Sequence, residues 1–291
     1  MDLLQEMNNL KEVIDKELKN VIKECSYQKK IVEAMEYSLF TGGKRLRPIL
    51  LLESCELFKG EYEDAMPFAL AIEMIHTYSL IHDDLPSMDN DDYRRGKLTN
   101  HKVFGDALAI LAGDGLLNLA YETMAENIIN KSHTLEDYRR YVRAMNVIAN
   151  ASGIYGMVGG QVVDILSEGK NIERDELFFM YKNKTAALIQ ASLISGGIIG
   201  GAGEEELKKL EEYGLAIGVS YQIKDDVLDY NSGEDDSKTT YLSFHTVDEA
   251  KKEIEELDNN AINIVKYFVN KDRNRAKFFE KFAYYLTGRN K

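Results

Sequence analysis

Apolar residues recur at helical spacing along most of this chain. Leu3, Met7, Leu10, Ile14, Leu18 and Val21 follow one another at intervals of three or four, which puts them on one face of an amphipathic helix. A second helical stretch, Lys29 to Phe40, stops at Thr41-Gly42-Gly43, where glycine permits a chain reversal. Residues 63–85 form a largely apolar run (Ala69, Leu70, Ile72, Met74, Ile75, Leu80, Ile81) without strand-like alternation, and predict a buried helix. That helix is expected to end at Leu85, because Pro86 disfavours the helical conformation in the residue before it. Further helices are predicted over 105–130, 134–166, 173–200, 204–230 and 247–286. Gly153, Gly156 and Gly159 recur every third residue. With no strand ahead of them, they predict close helix–helix packing rather than a nucleotide loop. No linker or shift of composition divides the chain, so the expectation is a single all-α domain, 1–291.

An internal echo stands out. Tyr78-Ser-Leu-Ile-His-Asp83-Asp84 resembles Tyr221-Gln-Ile-Lys-Asp225-Asp226, each an apolar helical segment running into paired aspartates. The pattern predicts two acidic helix ends that could face each other.

Composition narrows the class. Only three prolines occur in 291 residues, which favours long helices, and 44% hydrophobic residues supply a sizeable core. Cys25 and Cys55 make neither a disulfide framework nor a CxxC metal site, consistent with a reducing cytoplasm. The first residues carry no basic n-region and apolar h-region, and no window approaches the apolar length of a membrane span. A net charge of −13 argues against nucleic acid. It also means that any phosphate ligand must be met by local Lys/Arg groups or by bound cations.

Candidate chemistry follows from that requirement. The first acidic cluster is Asp83-Asp84-Leu-Pro-Ser-Met-Asp89-Asn-Asp91-Asp92, where the bend at Pro86 could return Asp89 to the side of Asp83. In the second cluster, Asp225 and Asp229 stand at i and i+4, one above the other on a helix. A lone DDxxD is commonly a solvated helix end. Two such clusters on apolar helices favour hard cations such as Mg²⁺, which complete their shell with phosphate oxygens. Basic residues interleave with them: Lys44-Arg45-Leu46-Arg47 after Gly42-Gly43, then Arg94-Arg95, then Lys184-Thr185. Each alone reads as surface charge; together they suit one polyanion held by metals and bases.

In combination these motifs resemble the trans-polyprenyl diphosphate synthase family, and within it the bacterial farnesyl diphosphate synthases. The similarity runs from about Lys29 to Tyr241 through GGKRLRP (42–48), IHTYSLIHDDLPSMDNDDYRRGKLTNH (75–101), FGDALAILAGDGLL (104–117), GGQVVD (159–164), KNKTAALI (182–189) and YQIKDDVLD (221–229). The resemblance implies an all-α isoprenoid-synthase bundle around a deep central cavity, a homodimer, and head-to-tail condensation of isopentenyl diphosphate with dimethylallyl or geranyl diphosphate to farnesyl diphosphate. Asp83, Asp84, Asp89, Asp225 and Asp229 would hold about three Mg²⁺, or Mn²⁺ in their place. Arg94, Lys184 and Lys238 would touch the allylic diphosphate; Lys44, Arg47, His76 and Arg95 would take isopentenyl diphosphate. Thr185 and Gln222 would face the reacting centre, with Asp164 orienting Lys184. Tyr78, five residues before Asp83 and about 7–8 Å deeper on the same helix, would block elongation beyond C15. Apart from the resemblance, Tyr78 reads as a core aromatic and His76 as a core histidine.

The chain departs from the family pattern after Asp229. The connection to Lys238-Thr-Thr-Tyr241 is shorter by about ten residues and lacks the usual Gly-Lys lysine, while Glu234, Asp235 and Asp236 add negative charge. Two outcomes are compatible with this: an active enzyme with weaker closure, or an impaired homologue kept as a partner subunit. A geranylgeranyl diphosphate synthase and an ionisation-initiated terpene cyclase are the other readings. The cyclase would not need Lys44, Arg47, His76 and Arg95.

Overall fold

The computed structural model describes residues 2–23, 26–167, 169–232 and 239–288, and most of them are helical. The chain forms two compact units, Met1–Leu52 with Tyr62–Met145, and Glu53–Glu61 with Asn146–Lys291. The division falls within α3 (Leu46–Leu57) and α7 (Leu135–Ser152). Among the described residues, no helix is long and apolar enough to cross a membrane.

In the first unit, α1 (Leu3–Val21) buries Leu3, Met7, Leu10, Ile14 and Leu18, the stripe that the spacing predicts. The centre is α4 (Tyr62–Asp83), which is buried along most of its length and packs against α1, α2 (Lys29–Leu39) and α6 (Asp106–Lys131). A helix without a polar face is stable only when neighbours cover it. It ends two residues before the predicted Leu85. The Asp84 N–H still reaches the Leu80 carbonyl (3.1 Å), but Leu85 donates to His82 (3.2 Å), the tighter bond that closes a helix. Helix α3 is absent from the predicted set, which places no helix between Phe40 and residue 63. Pro48 sits in its first turn, where a missing N–H breaks no helical bond.

The buried Arg45 side chain ties this unit together. It donates to Asp15 of α1 (2.8 Å), Glu73 of α4 (2.7 Å) and the Leu39 carbonyl at the end of α2 (2.6 Å). A hairpin pairs β1 (Tyr93–Arg94) with β2 (Lys97–Leu98), Tyr93 opposite Leu98 and Arg94 opposite Lys97. Its two central residues, Arg95 and Gly96, have φ of 52° and 76°, the left-handed pair that a tight two-residue hairpin requires. After it comes the short α5 (Asn100–Phe104), packed on α6.

The second unit contains α8 (Met157–Ser167), α9 (Arg174–Met180), a π-helical turn (Tyr181–Ala186), α10 (Ala187–Gly200), α11 (Glu204–Ser232), α12 (Val247–Phe268) and α13 (Arg273–Thr287). Three predicted helices are therefore interrupted. The 134–166 stretch breaks at Gly153–Gly156, where a Cβ on Gly156 would run into the Ala151 carbonyl. The glycine triplet thus marks a helix break, and the close helix approach belongs to its neighbour Gly160, which packs on the backbone of Lys184. The 173–200 stretch contains the π-helical turn. The 247–286 stretch breaks after Phe268, and Asp272 restarts it by accepting the N–H groups of Asn274 (2.8 Å) and Arg275 (2.9 Å). A hydrophobic cluster of Leu177, Tyr181, Ile223, Val227, Tyr241 and Ile254 joins α9, the π-helical turn, α11, the segment around Tyr241 and α12.

Candidate active site

The first aspartate motif begins where α4 ends. Past Asp83 the chain folds back on itself: Met88 and Asn90 donate to the Leu85 carbonyl (2.9 and 3.1 Å), and the Asp89 N–H donates to the Asp83 carbonyl (2.9 Å). Asn90 completes the turn with φ of 53°. Asp83 and Asp89, six positions apart in sequence, are thus neighbours, as the bend at Pro86 predicts, and both are half-buried. Asp84 points the other way. It is 3% exposed and accepts the Arg94 Nε–H (2.5 Å), while Arg94 Nη2 reaches Asp91 (3.1 Å). Burial pushes the Asp84 carboxyl up to about 6, against the pull of Arg94.

The basic residues of this unit sort by direction. Gly42 and Gly43 have φ of 115° and 122°. This lets the loop turn so that Lys44 is exposed, Arg45 enters the core and Arg47 is half-buried at the start of α3. Arg95 donates to the Gly42 carbonyl (2.5 Å), and a Cβ on Gly43 would lie 2.7 Å from its guanidinium. Only glycine therefore lets Arg95 rest on this loop. His76, on α4, is held well below the ordinary histidine range by burial and by the charges of Arg47, Arg95, Arg45 and Arg94. It is a neutral imidazole within the field of four guanidinium groups. A cavity of about 30 Å³ behind them, bordered by Thr77, Asp84, Arg94, Arg95 and Thr99, has room for about one water. Five residues before the end of α4, Tyr78 is 8% exposed, its ring edge-on to His82 at 5.7 Å and its hydroxyl pushed up to about 12 by burial.

The second motif lies in the last turns of α11, which runs to Ser232, two residues past the predicted 230, so that Asp225 and Asp229 stand at i and i+4 on a helix as their spacing predicts. Asp225 is half-buried and Asp229 exposed. Asp226 is turned inward, 7% exposed, and accepts the Tyr181 hydroxyl, the Tyr241 N–H (2.7 Å) and Gln222 Nε2 (3.3 Å). The Tyr241 N–H also reaches the Tyr181 hydroxyl oxygen (2.9 Å). Burial raises the Asp226 carboxyl while these three donors pull it down, and burial followed by the Asp226 charge pushes the Tyr181 hydroxyl far up. On the π-helical turn, Lys184 pairs with Asp164 of α8, and Thr185 donates to Gln222 Oε1 (2.9 Å). A π-turn inside a helix is a frequent mark of a functional site. Lys238 lies outside the described residues.

The structure thus brings Asp83 with Asp89, Asp84 with Arg94, Arg95 with the Gly42–Gly43 loop, and Thr185 with Gln222. Sequence reasoning missed Tyr181, which has only the signature of a core aromatic, and the anchoring environment of Asp226. Among the described residues, no three His, Cys, Asp or Glu side chains form a ready-made metal cage. The donor set nevertheless fits Mg²⁺. It is all carboxylate oxygen, and Mg²⁺ commonly takes one or two protein carboxylates and fills its shell with water and substrate phosphate. Asp83, Asp89 and Asp225 are half-buried and Asp229 is exposed, whereas Asp84 and Asp226 are buried and engaged inward.

A family model described as Polyprenyl synthetase matches residues 28–262. The chain is similar to the heterodimeric geranylgeranyl pyrophosphate synthase large subunit 1 of Arabidopsis thaliana chloroplasts, 45% identical over 80% of this chain and 66% of that protein. It is also similar to the farnesyl diphosphate synthase of Geobacillus stearothermophilus, 41% identical over 86% of each. Among solved structures, an apo FPP/GFPP synthase from Zymomonas mobilis superposes with a TM-score of 0.89 at 35% identity, covering 98% of both chains.

Proposed function

The chain belongs to the polyprenyl synthetase family, and from that premise we propose that it condenses isopentenyl diphosphate head-to-tail with dimethylallyl and geranyl diphosphate and stops at farnesyl diphosphate. The observation that carries this reading is the Gly42–Gly43 loop, where Lys44 is exposed, Arg47 lies at the start of α3 and Arg95 is seated on the Gly42 carbonyl, in the same unit as the Asp83–Asp89 motif. In a protein of net charge −13, such a local gathering of cations suits an anionic ligand. A cyclase that only ionises an allylic diphosphate has no use for this second anion site.

In this reading Lys44, Arg47 and Arg95 hold isopentenyl diphosphate, with His76 as a neutral hydrogen-bonding partner. Asp83, Asp89, Asp225 and Asp229 are the metal ligands, and Arg94, fixed by Asp84, faces the allylic diphosphate with Lys184, fixed by Asp164. Mg²⁺, when bound, offsets charge on the departing pyrophosphate. Arg94 and Lys184 add to that stabilisation as the allylic C–O bond breaks. The isopentenyl double bond then attacks the allylic cation to form the new C–C bond, and the tertiary cation this leaves loses a proton from its neighbouring carbon to the pyrophosphate, which restores a double bond. Thr185 and Gln222 line the reacting centre, and enclosure keeps water from quenching the cation. Lys238 joins the allylic diphosphate site by family analogy. The Tyr78 ring supports C15 as the stop.

The protein is proposed to work as a cytoplasmic homodimer. A partner-subunit role is the second reading, favoured by the shortened connection after Asp229 and by the heterodimeric relative. Purified protein given geranyl diphosphate and Mg²⁺ is expected to release pyrophosphate only when isopentenyl diphosphate is added, and to lose this on Asp83→Ala or with EDTA. Release without isopentenyl diphosphate would favour the cyclase; no release from the protein alone would favour the partner subunit.

A further inference from the structure

Asp226 sits between two proposed metal ligands, yet its surroundings are those of an anchor. Its carboxylate is buried, and one oxygen accepts both the Tyr181 hydroxyl and the Tyr241 N–H. Gln222, which donates to the other oxygen, also accepts from Thr185. Tyr181 opens the π-helical turn that carries Lys184 and Thr185, and Tyr241 begins the segment after the connection from α11. Phe178 meets both tyrosine rings edge-on at 6.3 and 6.2 Å, and His245 stacks on Tyr241 at 4.4 Å. Three stretches of chain distant in sequence therefore meet at one carboxylate.

We propose that Tyr181, Asp226 and the Tyr241 N–H form a buried latch that sets the register of the Lys184–Thr185 turn against the helix bearing Asp225 and Asp229. Asp226 acts in it as a hydrogen-bond acceptor and not as a metal ligand, and Tyr181 is a positioning residue. The inference rests on the synthase reading for what the latch positions. The two roles differ in what they demand of the side chain. A ligand needs its negative charge; an anchor needs only an oxygen facing two donors. An asparagine at 226 keeps that oxygen, and its NH₂ faces Gln222, whose amide can turn over to accept it while donating to the Thr185 oxygen.

The test compares Asp226→Asn with Asp225→Asn by two readouts, Mg²⁺-dependent binding of inorganic pyrophosphate by calorimetry, and turnover. Asp226→Asn is expected to leave the Mg²⁺ concentration for half-maximal pyrophosphate binding within about threefold of wild type, whereas Asp225→Asn raises it roughly tenfold or more. Tyr181→Phe is expected to lower kcat roughly tenfold to a hundredfold with the KM for isopentenyl diphosphate unchanged, because it displaces Lys184 and Thr185 but leaves Lys44, Arg47 and Arg95 in place. Equal Mg²⁺ shifts in the two asparagine variants would make Asp226 a ligand and overturn the latch. A Tyr181→Phe protein that loses only Tm would overturn the positioning role. Wild type that binds Mg²⁺-pyrophosphate but forms no prenyl product would remove the synthase reading alone, and the binding comparison would still decide Asp226. Wild type that does not bind pyrophosphate with Mg²⁺ would overturn both.

Discussion

Lys44, Arg45 and Arg47 have similar chemistry in sequence and different positions in the fold, because left-handed backbone at Gly42, Gly43 and Arg45 (φ of 53° at Arg45) decides which side chain turns inward. Arg45 lies against Glu73, both side chains nearly sealed from water. Removing one member of a buried pair leaves the other charge stranded. Arg45→Met is therefore expected to destabilise the protein by about 3–5 kcal/mol in urea unfolding. Lys44→Ala, at an exposed position, should leave stability within about 0.5 kcal/mol and act on the KM for isopentenyl diphosphate instead. The motif was legible in the sequence because Gly-Gly-Lys-Arg is dense in chemistry. Which of its cations is structural was not, since Asp15 and Glu73 lie 30 and 28 residues away. The same limit hid the difference in burial between Asp83 and Asp84, and between Asp225 and Asp226. Adjacent aspartates look alike until burial separates them.

At the level of elements, α1 follows from the periodicity of its apolar residues and α4 from a continuous apolar run that its neighbours cover. The breaks were harder to find. Four residues between Phe268 and α13 and one π-helical turn scarcely disturb a hydrophobic pattern that continues on either side of them. At Gly160 the helix α8 touches the backbone of Lys184, so Gly160→Ala must push the π-helical turn away. It is expected to cost about 1–3 kcal/mol of stability and to lower kcat as well, measured by thermal unfolding and steady-state kinetics. The start of α12 offers a pH test. Glu249 and Thr246 form a capping box, each side chain accepting the other's backbone N–H. The Thr246 N–H and hydroxyl hold the Glu249 carboxyl below its ordinary value of 4.5. The folded state therefore favours the ionised form: the cap's contribution is complete above 4.5 and is lost as pH falls through the folded-state pKa. Between pH 6 and pH 3, Glu249→Gln should lose less Tm than wild type; parallel Tm curves would contradict the assignment.

For the whole molecule, the proposed function asks a strongly acidic chain to bind two diphosphates, and local cations with the proposed metal sites would reconcile the two. The sequence carried this much, because the aspartate motifs and the basic runs are chemically conspicuous and keep their order. It carried less about the connection after Asp229, whose shortening has no counterpart in the motifs themselves. The most direct test is analysis of product length after incubation of the pure protein with isotopically labelled isopentenyl diphosphate, geranyl diphosphate and Mg²⁺. The account predicts a C15 diphosphate that disappears with EDTA and lengthens to C20 or beyond in Tyr78→Ala. A wild-type product of C20 or longer would contradict the stop at Tyr78, and no labelled product from folded protein would contradict the prenyl-transfer reading itself.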